Sequence, residues 1–140
     1  MNALLHAHSG LRFLILLVAV AALVVFGLGL AQKKQFTKGA RILGSVFAGL
    51  VDLQVTLGLV MVLMGVWYPK LIGHVVMMVA AAGSTHVLLI RNRKQTPPGY
   101  LLPLVAVVVA LVLIVGGIFA IGRSPLAMSV LRDVAPVGVE

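Results

Sequence analysis

A chain of 140 residues that is 61% hydrophobic and 10% charged is too apolar for a soluble domain, where about a quarter of residues carry charge. The absence of cysteine excludes disulfides, thiolate-ligated haem, iron–sulfur clusters and cysteine nucleophiles. A net charge of +8 points to nucleic acid in a soluble protein. Here the basic residues cluster in short loops, where they set topology and meet anionic lipid headgroups, and no nucleic-acid partner is expected.

Four apolar runs reach the roughly 20 residues that a helix needs to cross a bilayer. The first, about 11–31, opens within "HSGLRF". It has no basic segment ahead of it, so it reads as a retained helix rather than a cleaved signal peptide. The loop "QKKQFTKGAR" leads to the second run, about 40–66. "WYPK" leads to the third, about 71–90, and "RNRKQTPPG" to the fourth, about 100–121. Pro97 and Pro98 stop the third helix, and Pro103 falls in the first turn of the fourth, where a missing N–H does little harm. Short loops force antiparallel neighbours. The expected fold is all-α, an integral-membrane up-down four-helix bundle over 1–122. A short C-terminal segment, 123–140, is expected outside the membrane.

Loop charges set the expected orientation. Lys33, Lys34, Lys38, Arg41, Arg91, Arg93 and Lys94 lie at one end, against Arg12, Lys70, Arg123 and Arg132 at the other. The positive-inside rule puts both basic loops in the cytoplasm and both termini outside, in the inner membrane of a bacterium. Trp67, Tyr68 and Tyr100 fall at span ends, as interfacial aromatics do. On the second helix, Gly44 with Ala48 and Ser45 with Gly49 form two small-xxx-small pairs that let another helix approach closely.

Imidazole in a membrane bundle without thiols points to axial ligation of b-type haem. His8 and His74 both lie towards the terminal end, so they are the candidate iron ligands. Arg12, one turn from His8, shares its face and could pair with a haem propionate. His6 lies too near the terminus to be placed. His86 stands twelve residues after His74, which turns it about 120° away around the helix. That rotation argues against a second haem in the same core.

Asp52, within "AGLVDLQVTLGL", is the only acidic residue before Asp133. It lies near the expected bilayer midplane, where a charge costs at least ~2.5 kcal/mol. Three arrangements accommodate it: protonation, pairing with a cation of a neighbouring chain, or hydrogen bonding inside the bundle or to water. No Lys or Arg lies at matching depth. Thr56 shares its face, Gln54 points away, and no relay can be chained from it. Asp52, Thr56 and His86 are expected as buried polar residues.

"HSGLRF", "KKQFTKGARILG" and "LGLVMVLMG" together resemble small bacterial four-span proteins labelled cytochrome-b-like, which are distantly similar to one half of haem A synthase. The resemblance covers roughly residues 8–94 and implies a four-helix haem-type bundle. Those proteins tend to have an acidic residue where Ala40 stands and a histidine where Asp52 stands. If that histidine is a haem ligand there, it is lost here.

Three functions fit these features. The first is a small accessory subunit of a larger respiratory or photosynthetic complex, with membrane lipids, other membrane subunits and a quinone or pigment as partners. The second is a b-type cytochrome with one haem on His8 and His74. The third is a proton-path component using Asp52. No phosphate-binding loop, carboxylate pair or nucleophile–base arrangement is present, so no independent enzymatic activity is expected.

Overall fold

The computed structural model describes residues 2–123 together with 125 and 126. Among them the protein is all-helical: α1 (Asn2–Ala31), α2 (Lys38–Leu63), α3 (Leu71–Lys94) and α4 (Leu101–Ala120). All four are long and apolar enough to cross a membrane. In hydrocarbon a backbone group finds no partner but its own helix, so uninterrupted apolar runs become uninterrupted helices. Of the expected segment 123–140, only Arg123, Pro125 and Leu126 fall among the described residues.

Two helices outrun their apolar stretches. α1 starts at Asn2 and carries His6 and His8 within it, and α3 continues to Lys94. The expected bounds followed hydropathy alone, whereas a helix continues while its backbone groups bond four residues apart. Arg91, Arg93 and Lys94 occupy the last turn of α3, where positive charge opposes the negative end of the helix dipole.

Local signals fix the ends of α2. The Thr37 hydroxyl accepts a hydrogen bond from the Ala40 amide at 3.1 Å, capping the first turn. At the other end Gly65 adopts φ +93°. The Gly65 amide donates to Val62 and the Val66 amide to Met61. This left-handed closure satisfies the last carbonyls and suits glycine.

The helices pack in a ring, α1 against α2, α2 against α3, α3 against α4 and α4 against α1. α1 and α3 therefore lie across the bundle from each other. The buried positions explain this geometry. On α1 they are Ile15, Ala19, Ala22, Phe26 and Gly29, alternating steps of four and three as in left-handed bundle packing. Ala40, Gly44, Phe47 and Val51 of α2 follow the same rhythm. The Gly44 and Ala48 pair meets α3: a Cβ at Gly44 would stand 3.3 Å from Leu89 Cδ2, and Ala48 packs with Leu89 and Ala106. The Ser45 and Gly49 pair faces outward.

At the basic-loop end, Tyr100 is the anchor. Its ring packs against Phe26 and Phe36, its hydroxyl donates to the Gln35 carbonyl at 3.2 Å, and it seats directly on Gly29. Asn92, buried at the same end, accepts the Gly99 amide at 3.1 Å and ties the loop after α3 to that helix.

Candidate functional site

The first turns of α1 and the start of α3 converge at the end of the bundle where α4 finishes. His8 and His74 meet there across the bundle, with ring centroids 6.5 Å apart and ring planes at 73°. His74 Nδ1 donates to the Gly117 carbonyl of α4 at 2.9 Å. A carbonyl accepts only, so a proton sits on Nδ1, and in the neutral tautomer Nε2 is the free ligand nitrogen. This is how an outer hydrogen bond commonly orients a metal-binding imidazole. His8 is held from α2: Gln54 Nε2 donates to the His8 carbonyl at 2.9 Å, and the ring lies over Gly58, where a Cβ would stand 3.2 Å from its Cε1. Nδ1 of His8 is buried without a hydrogen-bond partner. A buried polar atom left so calls for a ligand or a specific role.

Between the helices lies a cavity of about 170 Å³. Arg12 and Arg123 line it with the two histidines and Gln54, and Ile15, Met78 and Ile118 supply apolar wall. Leu59 and Val79 also line it while being 43% and 51% exposed, so the cavity opens sideways between α2 and α3. Arg12 is a neighbour of His8 in space as in the expected constellation, and its guanidinium also stands 4.9 Å from the Phe13 ring centroid.

The donor set narrows what this site can hold. Two imidazoles bonded through nitrogen to one metal ion, at about 2.0–2.1 Å each as with zinc, have ring centroids about 6 Å apart, close to the spacing seen here. A bare zinc site takes three or four protein ligands, and among the described residues no cluster of three His, Cys, Asp or Glu exists. Two imidazoles alone suit a metal that brings its own equatorial ligands, as haem iron does. Arg12 and Arg123 at the rim suit carboxylates. The ligand set therefore fits haem b. The volume does not yet: about 170 Å³ is near the ~150 Å³ that takes a benzene ring.

The second polar group is elsewhere. Asp52 and His86 form one pair: His86 Nε2 lies 2.8 Å from Asp52 Oδ2 and 3.0 Å from Oδ1. This corrects the expectation that Asp52 lacks a partner within its own chain. Asp52 precedes Val66, where the turn after α2 closes, by fourteen residues, and His86 follows Leu71 by fifteen. At 1.5 Å per residue these are about 21 and 22 Å, so the two stand level. Hydropathy had put His86 near the end of its span, because the polar last turns of α3 were counted as loop. The pair is also not buried: the side chains are 48% exposed for His86 and 44% for Asp52. Thr56 is exposed as well, and its hydroxyl donates to the Asp52 backbone carbonyl at 2.8 Å rather than to the carboxylate. The rotation expected between His74 and His86 holds: one faces the cavity and the other the outside of the bundle. His6 is exposed on α1.

No protein family, curated protein or solved structure matches this chain. The site is therefore read from its own geometry. Several of its residues were not singled out from sequence. Gln54 had been noted only as pointing away from Asp52, yet it shares a helix face with Gly58, one turn on, and that face meets His8. Arg123 was read only as a topology charge and Gly117 carried no signal: their part depends on where α4 ends relative to α3.

Proposed function

We propose that the protein is a small b-type cytochrome-like subunit of the membrane, in which His8 and His74 would hold one haem. The observation that carries this is the imidazole pair itself: two rings from helices across the bundle, 6.5 Å apart, one with Nδ1 already committed to Gly117. Bound haem would supply a one-electron iron couple. The chain's own residues have the other tasks. Gly117 fixes the tautomer of His74, Gln54 steadies the backbone at His8, Gly58 leaves room for its ring, and Arg12 and Arg123 make the rim positive. The apolar walls keep water from the ligand nitrogens. The positive-inside rule puts the site at the outer side of a bacterial cytoplasmic membrane. Among the described residues no domain stands clear of the bundle to receive electrons, so the protein acts as a subunit and passes them to a partner in a larger energy-transducing complex. A proton path through Asp52 is not favoured: among the described residues no further acid or histidine extends the Asp52–His86 pair towards either surface.

The test is the visible spectrum and haem content of the purified chain, oxidised and dithionite-reduced. One haem b per chain and a sharp α-band on reduction are expected. His8→Ala and His74→Ala should each lower haem content at least about tenfold, on the scale of losses seen when metal-site support is removed, while His86→Ala leaves it intact. A monodisperse, helical chain that takes up no haem on titration overturns the assignment, as does a band that survives both substitutions.

A further inference from the structure

The bundle presents two unlike surfaces to the membrane. From Phe13 onward every exposed residue of α1 is apolar, and so is every exposed residue of α4, Leu17, Val20, Val24 and Val112 among them. α2 and α3 differ. Ser45, Gly49 and Thr56 are exposed on α2, Ala80, Gly83 and His86 on α3, and Asp52 stands half-exposed between them. On α2 the positions 45, 49, 52 and 56 step by four, three and four, the spacing of a helix-packing seam. A Cβ added at Gly49 or at Gly83 would meet nothing within 4 Å. Two of these positions are bonded from α3, Ser45 to Arg93 at 2.9 Å and Asp52 to His86, but among the described residues no helix packs over Gly49 or Gly83.

The Asp52–His86 pair marks the middle of this face. A charged group at the bilayer centre costs about 2.5–3.5 kcal/mol on insertion scales, so a pair 48% and 44% exposed favours polar cover over hydrocarbon. His86 uses Nε2 on the carboxylate. Nδ1 of the same ring is directed away from that bond and keeps its hydrogen-bonding capacity, and the carboxylate keeps unused lone pairs. Donor and acceptor thus lie side by side at one depth.

We infer that this face binds a second copy of the chain. Two copies inserted in the same orientation are related by a two-fold axis along the bilayer normal, which leaves every residue at its own depth. Such an interface is isologous, the same patch on both sides. His86 of one copy then meets Asp52 of the other, and the reverse, closing a four-group network at the midplane. Gly49 and Gly83 let the helices approach closely enough for it. The inference stands apart from the haem assignment, since it uses neither His8 nor His74.

The absence of native cysteine makes the test direct. Gly49→Cys and Gly83→Cys are introduced singly, oxidised in native membranes, and run without reductant. A band at twice 14.7 kDa is expected from both, and none from Val20→Cys or Val112→Cys on the apolar faces. In detergent, Asp52→Ala or His86→Ala should weaken self-association about 3- to 20-fold, the range of a hydrogen bond between membrane helices. The exchanged double variant, Asp52→His with His86→Asp, should restore it. Gly49→Leu should weaken association without touching the polar pair, with helicity by circular dichroism unchanged. Monomeric cysteine variants of normal helicity overturn the inference, and so does a cross-link to a different protein in place of the second copy.

Discussion

At the scale of single residues, the site turns on small side chains as much as on the histidines. Gly58 lies where a Cβ would stand 3.2 Å from the His8 ring. Gly58→Val should tilt His8 and weaken haem retention about 10- to 100-fold, the effect typical of losing support to a metal ligand. Haem titration followed by absorbance measures it, with circular dichroism confirming that α2 persists. Asn92 is a residue-scale matter of stability. It is 1% exposed, and its side chain answers the Gly99 amide. Asn92→Ala leaves that amide unpaired, and a loss of about 1–3 kcal/mol is expected, read by unfolding in mixed detergent. The histidine pair was half-legible in sequence: matching depth and a shared Arg12 face follow from helical spacing alone. Its 6.5 Å separation was not, because it depends on how far α1 and α3 stand apart across the bundle.

At the scale of elements, Tyr100 makes a close approach to α1 at the basic-loop end. A Cβ at Gly29 would fall 2.6 Å from the Tyr100 ring. That ring is held by Phe26, Phe36 and the Gln35 carbonyl, so it cannot swing aside. Gly29→Ala should therefore cost about 1–3 kcal/mol of overpacking, more than the roughly 1 kcal/mol that alanine returns in helix propensity. Gly27→Ala, with nothing within 4 Å of the added carbon, should show the propensity gain alone. Thermal unfolding of the two variants side by side separates these terms, and a Gly29→Ala protein as stable as Gly27→Ala would show that the ring yields. The number and order of helices were legible, since each apolar run is a local property. The ends were not: hydropathy stops at the membrane boundary, whereas α1 and α3 run on past it to place His8 and Arg93.

At the scale of the whole molecule, the asymmetry between the α1–α4 surface and the α2–α3 surface sets how the protein sits among its neighbours. Lipid suits the first. The second carries small residues, an acid and a histidine, and the proposed self-association, to be tested by cross-linking at Gly49 and Gly83, belongs to this scale. Composition and loop charge determined, without any structure, that the chain lives in a membrane and folds as four antiparallel helices. Those follow from transfer free energy and backbone hydrogen bonding, which act on each segment separately. Only the tertiary structure decided that Asp52 belongs with His86 and that His8 faces His74 across a cavity. Pairing between helices depends on axial offset and on rotation about each axis. Both are set by the turn through Gly65 and by side chains interlocking along the seams, and neither is a property of any one segment.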